Sequence, residues 1–226
     1  MEGRSASSIQ RLMAPRVATA HSSVTELIRL AIMSGELAAG TRLVQAELAQ
    51  RLQLSTTPIR EALRDLTTEG LVDFDPYRGA LVHAPSGEEL LSVYEMRRVL
   101  VPLSIRRGVA RITDEELAEA RKLFEQLTAT SVRIEWVELN RRFHRTLDIA
   151  SGSPPLISVL GRLADLAALY VNISVQNQDK RQVANAEHER LLEAYEHRDA
   201  DKAESEMLAH LKATVSAVLP SIGPDA

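Results

Sequence analysis

The feature that most constrains this sequence is a single break in an otherwise helical hydrophobic period. Leu71 to Phe74 and Ala80 to His83 form two short apolar segments around Asp75-Pro76-Tyr77-Arg78-Gly79, a run with strong turn chemistry. No other segment reads clearly as strand. Elsewhere apolar residues recur at three- and four-residue spacings, so the expected fold is mainly α with one small β-hairpin.

The residues before the hairpin sharpen that reading. Val24, Leu27, Ile28, Ala31 and Ile32 follow a helical period, Ser23 with Glu26 offers a capping box, and Gly35 supplies a stop. After a turn at Ala39-Gly40, Leu48 and Leu52 mark a short second helix. Ser55 then caps a third, with Pro58 in its first turn, where a missing N–H costs little. Ile59, Ala62, Leu63 and Leu66 share one side of this third helix, and Thr57, Arg60, Arg64 and Thr67 the other. Two short helices and a hairpin make a winged helix-turn-helix, a unit whose second helix enters the major groove of DNA.

From Ser86 onward the period is helical throughout. Ser86 with Glu89 and Thr113 with Glu116 are capping boxes, and Pro102 marks a kink in the first long helix. Leu117, Ala120, Phe124 and Leu127 form the apolar stripe of the next, and a third runs from Ile134 to Ala150. Three more helices are expected near Leu156 to Gln176, Ala186 to His197 and Ala200 to Leu219. Together these make a bundle of about six helices.

The chain has 226 residues, enough for two cores. The expected division is an arm over 1–20, a winged domain over 21–84, a helical effector-binding and dimerisation domain over 85–220, and a tail over 221–226. Zero cysteines exclude disulfides and thiolate chemistry, leaving His, carboxylate and amide groups as metal donors. No apolar run approaches the roughly 20 residues that span a bilayer, and the first residues lack the centre of a signal peptide, so a cytoplasmic protein without membrane contact is expected. Net charge is -4, with nine basic and nine acidic residues up to Ala84. Bulk charge therefore does not point to nucleic acid. DNA binding would need a local arrangement, with Arg60, Arg64 and Thr57 facing base edges and phosphates, Ser55 and Thr56 on phosphates, and Gly79 letting the wing approach. On periodicity alone the same arginines suit a solvated face paired with Glu61 or Asp65 equally well.

The stretch Leu27 to Val82 resembles the DNA-binding domain of the GntR family of bacterial regulators. The matching pieces are Ile32 to Leu37, Gly40-Thr41-Arg42-Leu43, Glu47-Leu48-Ala49, Ser55 to Leu63, Glu69-Gly70-Leu71 and Arg78-Gly79. Thr56 stands where that family commonly has Arg, so a hydroxyl replaces a guanidinium at one DNA-facing position. The rest of the chain resembles the FCD ligand-binding domain of the FadR subfamily. That resemblance implies a metal site on His144, His188 and His210, with Asn140 replacing the usual Asp in Asn140-Arg141-Arg142-Phe143-His144. Asn140 and His144 share a helical face, and three imidazoles suit Zn(II) or Ni(II), with an amide the weaker fourth donor. Without the resemblance, His188 and His210 suit ordinary helix positions and His144 a satisfied core histidine. Arg97 matches a position where the family carries an effector-binding Arg, although a surface charge fits the local pattern equally.

The expected function is a homodimeric regulator, by default a repressor, that binds double-stranded operator DNA under control of a small organic acid. Two other readings are a metal-dependent hydrolase or lyase and a sensor whose histidines meet the ligand without metal. The first lacks a phosphate loop, a nucleophile elbow and a carboxylate base that the sequence places beside the histidines.

Overall fold

The structure, a computed structural model, describes residues 20–84, 86–175 and 178–222. The expected arm lies outside the described residues up to position 19, as does the tail beyond Ile222.

The first helix, α1 (Ala20–Met33), buries Val24, Ile28, Ile32 and Met33 against α3 (Thr56–Thr68), whose Ile59, Ala62, Leu63 and Leu66 are also buried. Ser23 and Glu26 sit inside α1, so the capping box expected there does not form. The Glu26 carboxylate turns outward to Arg29 and Arg141 instead of back toward Ser23. Gly35 ends the helix at φ +77°. Between α1 and α3 lies the short α2 (Gln45–Leu52), and Ser55 is the N-cap residue of α3 with no side-chain cap bond.

The wing pairs β1 (Val72–Asp75) with β2 (Gly79–Val82), Val72 opposite Val82 and Asp75 opposite Gly79. Asp75 Oδ1 accepts the backbone N–H groups of Tyr77 and Arg78, both at 2.7 Å, and so closes the turn. The hairpin is not alone, because Leu43 N–H donates to Ala80 O and Val82 N–H to Thr41 O, both at 2.8 Å. This third edge, from the loop between α1 and α2, ties the wing to the helices. Its single bridge at Arg42 is too short to show in the hydrophobic pattern.

Six helices follow: α4 (Gly87–Arg111), α5 (Asp114–Ala129), α6 (Arg133–Ile149), α7 (Pro154–Ser174), α8 (Gln178–Glu196) and α9 (Ala200–Val218). Helix α4 continues through Pro102 to Arg111 as one element. Helix α8 starts well before the expected Ala186, in a polar stretch where no apolar stripe announces it. Thr113 and Glu116 form their reciprocal box. At Ser86 only half of the box forms, since the Glu89 carboxylate goes to His83 and Tyr170 instead.

One expectation about apolar runs needs correction. By length and composition Pro154–Asn172 could cross a membrane. In the fold α7 packs against α1, α4, α6 and α9, with Leu160, Leu163, Ala167 and Tyr170 buried.

Helix α7 is also where the two halves of the chain meet. A Cβ on Gly35 would collide with Asn172 Nδ2, and one on Gly70, at φ +81°, would stand 3.2 Å from Leu166 Cδ2. The N-terminal helices thus rest on α7 through two glycines that leave room for it.

Candidate effector site and DNA-facing surface

On α3 the apolar face is fully used in packing, and Thr56, Thr57, Arg60, Arg64 and Thr67 on the opposite side are exposed, together with Ser55 before them. Neither Arg60 nor Arg64 forms an ion pair among the described residues, so the alternative of local pairs with Glu61 or Asp65 gains no support. Gly79 takes φ +81° at the tip of the wing with open space around it, beside the exposed Tyr77 and Arg78. An unpaired guanidinium face next to an accessible wing can meet both phosphates and base edges.

The three sequence-predicted histidines converge in the bundle from α6, α8 and α9. Their ligand nitrogens lie within 4.8 Å of one another, and His144 Nε2 stands 3.1 Å from His188 Nε2. Ring centroids are 4.9 to 5.5 Å apart. His188 is packed between Trp136 and Phe143, which fix its ring. Burial first, and then the neighbouring imidazoles, hold His144 and His188 well below the usual histidine value; Arg97 adds to this at His144. Neutral rings with free lone pairs are the form that binds a cation.

Glu187 is the residue the sequence reading missed. Its Oε2 lies 2.6 Å from His210 Nδ1, so His210 donates there and Nε2 is left as the acceptor. A carboxylate behind a ligating imidazole fixes the tautomer and raises donor strength. Its position directly before His188 was the available signal, but a side chain on α8 serving a histidine on α9 is legible only in the fold.

Asn140 Oδ1 is buried without a hydrogen-bond partner, as are Nδ1 of His144 and of His188. Asn140 and His210 line a cavity of about 170 Å³ with Glu187, Trp136, Val171 and Val175. That volume is well below the roughly 300–1,000 Å³ of pockets that take drug-sized ligands. Three imidazole donors within reach of one point, with the unsatisfied amide oxygen of Asn140 lining the same cavity as His210, fit a divalent transition metal.

Arg97 is buried, not the surface charge its local pattern equally allowed. Its guanidinium stacks over the Tyr94 ring at 5.1 Å, and no ion pair forms to it among the described residues. Asp148, nearby, is held by Ser104 at 2.8 Å and pushed up to about 6 by burial. A buried cation without a bonded anion favours a negative ligand.

A winged helix-turn-helix joined to a helical bundle with a largely apolar cavity, into which Asn140, Glu187 and His210 bring a few polar groups, is the build of a transcription regulator. The family model for bacterial regulatory proteins of the gntR type matches residues 20–82, and that for the FCD domain matches residues 92–213. The repressor GlaR of Escherichia coli K12 is 31% identical over 191 residues, covering 80% of this chain and 87% of its own. The Nta operon transcriptional regulator of Aminobacter aminovorans is 28% identical over 185 residues, covering 81% and 87%. Among solved structures, E. coli McbR/YncC superposes with a TM-score of 0.81 at 20% identity, over 90% of this chain and 98% of that one. This chain belongs to the GntR family of transcription regulators and carries an FCD domain.

Proposed function

We propose that this protein binds operator DNA through α3 and the wing, and that a small organic acid held beside the histidine cluster changes its affinity for that DNA. Repression relieved by the ligand is the default direction. The observation that carries the reading is the convergence of three imidazoles with a buried, unpaired Arg97, inside a domain joined to an exposed Arg60/Arg64 face. The working division is 21–84 for the DNA-binding domain and 85–220 for the effector domain.

His144, His188 and His210, with Asn140, would hold Zn(II) or Ni(II), and such a metal supplies a Lewis acid for a carboxylate oxygen. Glu187 orients His210, Arg97 provides positive potential, and Trp136, Val171 and Val175 exclude water from the rest of the ligand. The amide at position 140 gives a less charged site than an aspartate would, so affinity depends more on the ligand's own oxygens.

A homodimer fits the symmetry of a palindromic operator. Met96, Val99 and Leu103 are exposed along one face of α4, Val99 at 74%, and this apolar stripe suits a second copy of the chain. Sedimentation analysis would read its contribution directly, with Val99→Glu expected to yield monomers.

The test of function is selection of genomic DNA fragments by the purified protein, followed by binding of wild type and Arg60→Ala to the best site. A palindromic site, weakened about 10- to 100-fold by the substitution, is expected. No selected site at any low salt concentration would overturn the reading.

A further inference from the structure

Helix α6 serves two neighbours at once. Asn140, which lines the cavity, and His144, which joins the histidine cluster, are four residues apart on one face, while Arg141 lies about 100° round the helix from Asn140. Its guanidinium leaves the bundle: Arg141 Nη2 is 2.7 Å from Glu26 Oε1 on α1, and Nε is 2.9 Å from Glu138 Oε2 on its own helix. The other oxygen of Glu26 meets Arg29. Arg29 in turn grips Glu69 with Nη2 at 2.7 Å from both carboxylate oxygens and Nε at 3.2 Å from one. Glu69 is the C-cap residue of α3, the helix that presents Arg60 and Arg64. Arg29 and Arg141 are largely shielded, with side chains 13% and 16% exposed.

We propose that Arg141 is a positioning residue that transmits occupancy of the histidine site to the DNA-reading helix, through the chain Arg141, Glu26, Arg29 and Glu69. This rests on the reading above, that ligand binding in the bundle controls operator affinity. Closure of Asn140 and His144 on a bound ion turns α6. A rotation of about 10° carries a group about 6 Å from the helix axis through roughly 1 Å, enough to make or break a directional hydrogen bond. Charge-assisted bonds from two shielded arginines to the more open Glu26, 41% exposed, hold the two end states apart, and a chain with two discrete arrangements is what coupling requires. The next residue provides the contrast, since Arg142 is half exposed and, among the described residues, its ion pair is with Glu119, at 3.7 Å, within the bundle.

The test measures operator affinity of the full chain with zinc ions and with chelator, for wild type, Arg141→Met, Glu26→Gln and Arg142→Met, beside zinc affinity in the absence of DNA. Wild type and Arg142→Met are expected to change operator Kd about tenfold or more on adding zinc, inside the usual range of allosteric coupling. Arg141→Met and Glu26→Gln are expected to keep zinc affinity and zinc-free operator affinity within about threefold and to lose the zinc-induced change. A plain structural role would alter both affinities and leave their ratio alone. Glu26→Gln attacks the same bond from the DNA-binding side, leaving the bundle core intact. Retention of the full zinc effect in both variants overturns the proposal. Indifference of wild-type operator binding to zinc overturns it as well, since the histidine site would then have nothing to transmit; the reading it rests on fails separately, if no DNA site is selected at any low salt concentration.

Discussion

Asp165 on α7 offers a quantitative check on the electrostatics of the domain junction. Its carboxylate lies 3.9 Å from Arg29 and 3.8 Å from Arg141, too far for strong pairing, and burial pushes its pKa from 3.8 up to about 6 despite both cations. One pKa unit equals about 1.4 kcal/mol, so keeping this group ionised at pH 7.5 costs the fold up to about 3 kcal/mol. Asp165→Asn removes that cost but leaves amide N–H groups short of partners, which takes back about 1 kcal/mol. The expected net gain is about 2 kcal/mol. Between pH 3.8 and 6 the unfolded chain releases this proton while the folded chain retains it, so wild type loses stability as pH rises through that window and the variant does not. At pH 4.5 the cost in wild type has fallen to about 1 kcal/mol and the two proteins should be level. Urea denaturation followed by circular dichroism at pH 7.5 and 4.5 measures both differences. A variant less stable than wild type at pH 7.5, or a gain of the same size at both pH values, would show that Asp165 is a paired anion and refute the reasoning.

Three further outcomes follow from the same structure. Glu187→Gln should weaken zinc binding about 10- to 100-fold in a chelator competition, because an uncharged amide oxygen in place of the carboxylate behind His210 Nδ1–H no longer raises the donor strength of the ring. His83 joins Asp73 of the wing at 2.9 Å to Glu89 of α4 at 2.7 Å; burial lowers its pKa, but the bonds to Glu89 and Asp73 outweigh it and raise the value. The stability His83 adds over a His83→Asn variant should be full below about pH 6.5 and vanish as pH rises through that raised value, seen by denaturation at pH 6 and 9. Gly35→Ala should cost about 1–2 kcal/mol in thermal unfolding, from the left-handed φ and the approach of Asn172, with Asn172→Ala relieving only the steric part.

The winged unit was legible because its residues answer to local rules. Ile59, Ala62, Leu63 and Leu66 are buried where their period puts them, and Asp75 to Gly79 turn where their chemistry demands. Boundaries followed less well, since the start of α1 depends on residues without an apolar period and α8 opens in a polar run. The three histidines are reached through resemblance and converge in space, whereas the local pattern alone leaves His188 and His210 as ordinary helix positions and His144 as a satisfied core histidine. Glu187, Arg29, Glu69 and Asp165 were out of reach. Each acts on a residue of another helix, 23 positions away for Glu187 and 40 for Arg29 with Glu69, and no local pattern encodes such a pairing.

The two glycines seated on α7 bear on how such regulators can be recombined. A chimera that joins residues 20–84 to a foreign bundle would keep every hydrogen bond inside the reading head, yet set Gly35 and Gly70 against a helix of different contour. Where Asn172 and Leu166 are replaced by larger residues the head would be tilted, and where they are smaller it would rattle. Transplanting operator specificity between relatives therefore calls for carrying the facing surface of α7 along with the head, as a matched socket.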